Sequence, residues 1–166
     1  NIWLAGYNVF GRFNIKDHSF MLVPNNIPGQ YSLLYDMVTY MFEDKEKSIW
    51  LGSNKGLYRF SPGSQKFLTV KMRVPASVTD DKAEVTHFLQ TSNGELLVST
   101  WGRGIYSFDS SLKPAYTQYT TTGLATNYGM VWNMLERKNG DVWCAMQSGA
   151  VFILTTDKKF IHLLPP

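Results

Sequence analysis

The chain has 166 residues, 14% of them aromatic and 17% charged, a composition that indicates a globular domain with a sizeable core and excludes a disordered segment. The formal net charge is +3, but the 16 lysine and arginine residues are scattered, so we expect no nucleic-acid-binding surface. No apolar run approaches the length of a membrane span, so we also expect this segment to make no membrane contact.

The predicted elements are short strands from the first residue onwards. "NIWLAG" begins at Asn1 and "VFGRFN" (9–14) follows it, two apolar segments joined by a polar turn. A longer succession of the same kind comes next: "VTYMFE" (38–43), "SIWLGS" (48–53), "GLYRFS" (56–61) and "FLTVKM" (67–72). The segment "YSLLYDMVTYMF" (31–42) is the best candidate for a helix, but its second half aligns with later copies and is therefore predicted to be a strand.

The succession returns along the whole chain at a nearly fixed distance. The apolar pairs in the second strand of each unit lie 47, 47 and 46 residues apart, at Ile2-Trp3, Ile49-Trp50, Leu96-Leu97 and Val142-Trp143. The preceding strands (38–43, 85–90 and 131–136) keep the same step. A glycine opens each following strand, and these glycines (Gly56, Gly104 and Gly149) lie 48 and 45 residues apart. Three elements in phase indicate an internal repeat.

Four strands in each repeat of this length are typical of a β-propeller blade. The sequence therefore predicts an all-β fold, a β-propeller fragment of four-stranded antiparallel blades with about three full blades and one partial blade. We place them in a single partial propeller domain, 1–166, with blades at about 1–24 (partial), 37–73, 84–120 and 130–164. Asn93-Gly94 and Asn139-Gly140 predict two-residue hairpin turns in which both residues adopt positive φ.

Half a ring leaves two sheet edges open, which is an aggregation hazard. We expect these edges to be covered by the remainder of the propeller or by a second copy of the chain. The chain starts at Asn1 without a methionine or a signal segment, so we expect it to be a piece of a longer protein.

The sequence resembles two-component regulator propeller repeats. The resemblance rests on "IWLGSNKGLYRF" (49–60), "LLVSTWGRGIYSFD" (96–109) and "TTGLATNYGMVWNMLERKNGDVW" (121–143). Two of the loops that enter a blade depart from the family pattern, as do Val9 and Leu97. The resemblance implies a periplasmic sensor region of a hybrid two-component protein, of a kind that regulates the uptake and breakdown of complex glycans.

Signals for catalysis are missing from the sequence, which has no nucleophile elbow, no phosphate-binding glycine-rich loop and no metal-ligand spacing of Cys and His. We predict no cofactor and no metal site. Cys144 is predicted to be a small buried hydrophobe, and His87 is either a hydrogen-bonded strand residue or, less favoured, a functional base. Trp3, Trp50 and Trp143 share one repeat position, which predicts packing between blades.

The loops after the second strands and those entering the next blade share one rim, and they vary where the strands repeat. A sugar needs an aromatic platform beside fixed polar groups. Trp101 and Arg103 in "TWGRG" offer both, and Asn127 and Tyr128 enter the next blade nearby, so these four are the predicted ligand-binding residues. Two alternatives stay open: Trp101 packs within its loop, and Trp132 faces either the channel or the neighbouring blade.

Three functions fit these observations. The first is a non-enzymatic sensor segment that binds an oligosaccharide and takes part in signal transduction and transcription regulation. The second is a propeller enzyme of the streptogramin-lyase type, which would need a histidine base with a bound metal, whereas the chain has three histidines, far apart in sequence. The third is a protein-interaction scaffold.

Overall fold

The computed structural model describes residues 2–25, 33–61, 66–72, 83–109, 118–119 and 130–164. These ranges contain strands, turns and irregular segments but no helix, and so none that could span a membrane. The strands are β1 (Ile2–Gly6), β2 (Val9–Phe13), β3 (Phe20–Leu22), β4 (Val38–Glu43), β5 (Ile49–Ser53), β6 (Gly56–Ser61), β7 (Lys66–Val70), β8 (Val85–Gln90), β9 (Leu96–Thr100), β10 (Gly104–Phe108), β11 (Gln118–Tyr119), β12 (Val131–Glu136), β13 (Val142–Met146), β14 (Val151–Leu154) and β15 (Phe160–Leu164).

The strands form four antiparallel sheets, and each sheet follows chain order. The first sheet is β1–β2–β3, and three four-stranded sheets follow: β4–β7, β8–β11 and β12–β15. The predicted fold class, one partial and three full blades, is therefore confirmed. The candidate helix in 31–42 is instead a strand from Val38 onwards. The residue boundaries of the blades and the single-domain assignment stay predictions.

The chain divides into two compact units, Asn1–Lys71 with the first two sheets and Met72–Pro166 with the other two. Aromatic rings fill the space between the sheets of the first unit. Trp3 stacks on Phe10 with ring centroids 5.1 Å apart and meets Phe60 of the second sheet edge-on at 5.5 Å. Phe10 is fully buried and contacts Phe67 at 5.6 Å. Such pairs add about 0.5–1.5 kcal/mol each beyond the apolar area they bury.

The second unit has a mainly aliphatic core between its two sheets. Leu97 and Ile105 of the third sheet pack on residues of the fourth sheet: Val131, Met134, Val142, Cys144, Met146, Ala150, Phe152 and Leu154. All of these side chains are buried. Side chains on a strand alternate between its two faces, and the face of β9 and β10 with Leu97 and Ile105 also carries the buried Ser99 and Ser107.

The predicted two-residue Asn-Gly turns are wrong in detail. Gly94 and Gly140 have φ of 87° and 86°, but neither Asn93 nor Asn139 has positive φ. The Gly94 amide donates to the Thr91 carbonyl at 2.9 Å, so only the third turn residue is left-handed. The asparagine instead accepts hydrogen bonds: Asn93 Oδ1 takes one from the Glu95 amide at 3.1 Å. In both turns the asparagine side chain accepts a hydrogen bond from the backbone amide two residues later.

Candidate functional site

One turn position recurs on the loop rim of all four sheets and carries a different side chain each time. It follows β1, β5, β9 and β13, which are the second strands of the repeat units. The residues there are Tyr7, Asn54, Trp101 and Gln147. In the last three copies, its backbone amide donates to a carbonyl at the entry of the same sheet, and for Trp101 that acceptor is Glu84 at 2.8 Å. The repeat therefore fixes the backbone here while the side chain varies.

Trp101 lies against Trp132 in the second unit. The two indole rings are nearly perpendicular, with an interplanar angle of 86° and centroids 5.4 Å apart. Trp101 is half-buried, whereas 47% of Trp132 is exposed. We call this pair the tryptophan corner. An edge-to-face pair is a favoured aromatic geometry, and it holds one exposed indole in a fixed orientation.

A β-bulge places Trp132 at this corner. The register of β12 against β13 shifts between Val131 and Asn133, so Trp132 is the extra residue. The innermost strands β4 and β8 shift at the same repeat position, where Thr39 and Thr86 stand. The Thr86 hydroxyl donates to the Val131 carbonyl of the next sheet, beside the corner. The bulge thus belongs to the repeat, and only its third copy in the chain carries an aromatic ring.

Arg103 lies two residues after Trp101, in the same turn. Its guanidinium is partly buried, and its positive charge acts on Tyr106, where it lowers a pKa that burial raises above the usual 10.0. The register pairs Tyr106 with Val98, on the face opposite to Leu97 and Ile105. The ligand-binding roles of Trp101 and Arg103 stay predictions. Asn127 and Tyr128 lie outside the described residues.

The residues considered for acid-base chemistry are buried. His87 is 7% exposed, and burial lowers its pKa below the ordinary 6.5. Burial raises the pKa of the Cys144 thiol to about 12, so it stays protonated at neutral pH. In the part of the chain that the structure describes, no group of three or more His, Cys, Asp or Glu side chains is arranged to hold a metal ion.

A polar cleft of about 240 Å³ lies at the other end of the strands of the second unit, at the hairpin turns. Sequence reasoning missed this cleft, because its residues come from turns that are distant in sequence. Ser92 donates from its amide and its hydroxyl to Glu136 at 2.8 and 2.7 Å. Lys158 pairs with Glu95 at 2.5 Å. These polar groups bind one another across the cleft and connect the third sheet to the fourth.

Repeated four-stranded antiparallel sheets with a variable rim define the class of this chain as a β-propeller fragment. Its fold is similar to that of the extracellular domain of BT4673 from B. thetaiotaomicron, assigned as a hybrid two component system, with a TM-score of 0.77 and 16% identity. The match covers 97% of this chain and 23% of that one. The extracellular domain of BT3049 from the same organism, assigned likewise, gives a TM-score of 0.72 at 15% identity over 96% of this chain and 21% of that one.

These neighbours confirm the resemblance drawn from the sequence, at the level of the fold. The chain spans about a quarter of their length. A protein from Bacteroides fragilis assigned as a 6-phosphogluconolactonase is similar at a TM-score of 0.50 and 12% identity, covering 94% of this chain and 48% of that one. No protein-family model matches the sequence, and no curated protein does.

Proposed function

We propose that the chain is a non-enzymatic, ligand-sensing segment of the periplasmic sensor of a hybrid two-component regulator, and that its ligand is a glycan whose binding regulates transcription. The similarity in fold to extracellular domains assigned to such systems supports the sensor role and the periplasmic location. The lactonase-like neighbour shares the fold only, and a fold alone does not carry a function.

The tryptophan corner is the observation that carries the choice of ligand. A pyranose ring has apolar C–H faces that pack on an indole, and Trp132 presents an indole with 47% of its surface exposed. Trp101 supports that ring from the side, at an angle of 86°. Asn133 follows Trp132 on the same strand and is exposed, so an amide that can bind sugar hydroxyls lies next to the platform.

The four predicted ligand residues enter this proposal with different roles. Trp101 positions Trp132, which we add as the stacking residue. Asn127 and Tyr128 are proposed as polar neighbours from the loop that leads into β12. Arg103 is proposed as a contact for a uronic acid carboxylate.

A glycan array followed by titration calorimetry tests the proposal. We expect the chain to retain oligosaccharides, and Trp132→Ala to lower the affinity for a retained oligosaccharide about tenfold to a hundredfold, the loss typical of removing an aromatic anchor. Trp132→Phe keeps a smaller platform and is expected to lose less. Tyr7→Ala is the matched control, because Tyr7 has the same turn position in the first sheet as Trp101 has in the third.

The outcomes separate the candidate functions. Binding that survives Trp132→Ala unchanged contradicts the site, and an array without any retained glycan contradicts the ligand class. A glycan that is bound and then recovered cleaved, as seen by mass spectrometry, contradicts the non-enzymatic role and favours the propeller lyase. Trp132→Ala is expected to lower the melting temperature only slightly, since half of this side chain already lies in solvent and the change removes its contact with Trp101.

A further inference from the structure

The two sheets of the first unit pack through fixed repeat positions. The face of the first sheet that packs against the next sheet in chain order carries Trp3 and Phe10. We call this side of any sheet its outgoing face. The side of the second sheet that receives them, its incoming face, carries Ile49, Leu51, Phe60 and Phe67, all buried in the same cluster. Each face is one side of a strand pleat, so its residues alternate with those of the other face.

The second unit uses the same positions. Leu97 and Ile105 stand on the outgoing face of the third sheet, where Trp3 and Phe10 stand in the first. The incoming face of the fourth sheet carries Val142, Cys144, Leu154 and Phe160 at the positions of Ile49, Leu51, Phe60 and Phe67. The two packed interfaces differ in side chains but not in repeat positions, so the positions define a general rule for packing between sheets of this repeat.

The incoming face of the first sheet carries apolar side chains at the same repeat positions, but no sheet among the described residues packs against it. Ile2 pairs with Phe13, which pairs with Phe20, and these stand at the positions of Ile49, Phe60 and Phe67. Leu4 and Leu22 lie on the same side of the sheet. Ile2, Leu4, Phe20 and Leu22 are 44–54% exposed, which is unusual for side chains of this size in one patch.

The outgoing face of the fourth sheet is the counterpart. One row of directly opposed residues crosses all four of its strands: Leu135, Trp143, Ile153 and Ile161. Trp143 stands at the position of Trp3, and Leu135 and Ile161 are 60% and 50% exposed. The Arg137 guanidinium lies over the Trp143 ring at 4.8 Å. Trp50 has the same repeat position as Trp143, and the Arg59 guanidinium lies over its ring. Trp50 is nevertheless only 1% exposed. An arginine there is thus compatible with a buried tryptophan.

We propose that the outgoing face of the fourth sheet binds an incoming face of this same repeat, and that in the isolated chain the first sheet of a second copy supplies it, head to tail. Trp143 then meets Phe13 of the second copy as Trp3 meets Phe60 in the first unit. A sheet elsewhere in a longer chain would satisfy the same positions. The contact is heterologous, so each copy uses one face for each neighbour. This inference is independent of the proposed glycan site.

Sedimentation velocity of the intact chain, from micromolar to near-millimolar concentration, tests the inference. We expect the sedimentation coefficient to rise with concentration. Leu135→Glu places a charge on the outgoing face and Leu22→Glu places one on the incoming face, and we expect each variant alone to remain monomeric. Both side chains are more than half exposed, so the sheets themselves should tolerate the charge. Ile15→Glu is the control, because Ile15 is 54% exposed but lies in the turn between β2 and β3.

Mixing the two variants is the decisive step. Each keeps the face that the other has lost, so an equal mixture should form a dimer and nothing larger, while Ile15→Glu should assemble like the unaltered chain. A chain that stays monomeric throughout the range contradicts the proposal. So does a mixture that stays monomeric, or a variant that assembles as well as the unaltered chain. Circular dichroism of each variant verifies that its strands are intact.

Discussion

At the scale of single residues, one turn position shows how a repeat separates structure from function. The backbone amides of Asn54, Trp101 and Gln147 all donate to the entry of their own sheet, at 2.8–3.1 Å. Their side chains are not needed for that bond, so the turn tolerates an amide or an indole equally. In the third sheet the side chain meets a second aromatic ring, Trp132. The proposed site therefore arises from two residues placed on a backbone that all copies share.

His87 predicts a pH dependence of stability. Its pKa is lowered by burial in the folded state and is near 6.5 in the unfolded chain. Above pH 6.5 both states are neutral at this residue and it contributes nothing. As pH falls below 6.5 the unfolded state binds the proton first, so folding stability is lost down to the folded-state pKa. We expect His87→Gln to melt with a smaller loss between pH 7 and pH 5 than the unaltered chain.

His18→Asn is the control for that measurement, because His18 is exposed and has a positive φ of 57°, which asparagine tolerates. Its pH profile should follow that of the unaltered chain. Identical slopes for His87→Gln and the unaltered chain would contradict the assignment of this acid sensitivity to His87.

At the scale of elements, the hairpin turns share one left-handed position with different residues in it. Gly94 and Gly140 occupy it in two turns, and Lys47 and Lys158 occupy it in two others, with φ of 64° and 66°. Glycine adopts this conformation without the steric cost that a side chain brings. Lys47→Gly should therefore stabilise the chain by about 0.5–1 kcal/mol, even though it removes the exposed ion pair of Lys47 with Glu43.

Urea denaturation of Lys47→Gly beside Gly94→Ala checks that prediction. The reverse change at the equivalent position should destabilise the chain by about 1 kcal/mol, since alanine must take the positive φ of Gly94. Two shifts of the midpoint in the same direction would show that the turn conformation does not control these differences.

The sequence predicted the elements better than the site, for physical reasons. Alternation of apolar residues and the fixed step locate β4, β8 and β12. The alternation follows from the two-residue period of a strand, and the step follows from the repetition of one four-stranded unit. The bulge at Trp132 interrupts the alternation of side chains. The side of the sheet on which Trp132 lies therefore cannot be predicted from its position in the sequence. Arg103 is two residues from Trp101 in a tight turn, and its positive charge acts on the buried Tyr106, a residue that the spacing does not point to. Asn127 and Tyr128 remain predictions.

At the scale of the whole molecule, two kinds of surface carry different residues: the faces of the sheets and the rim formed by the turns. The faces of the sheets carry the apolar residues through which two sheets pack within each unit. The rim carries the residues that differ between copies of the repeat. A repeat protein built this way can change what its rim binds without altering the positions that hold its blades together. The tryptophan corner and the exposed faces are therefore expected to respond independently: Leu135→Glu should abolish assembly without altering glycan binding.

Indole N–H signals in NMR spectra test the central claim most directly, that the tryptophan corner is the glycan site. The chain has five tryptophans, so single Trp→Phe variants assign every signal. Titration with neutral and uronic-acid-containing oligosaccharides should shift the signals of Trp132 and Trp101, while those of buried Trp50 and of Trp3, packed between Phe10 and Phe60, stay in place. An oligosaccharide that binds while the Trp132 and Trp101 signals do not move, or a full panel that moves none of the five, would contradict the account.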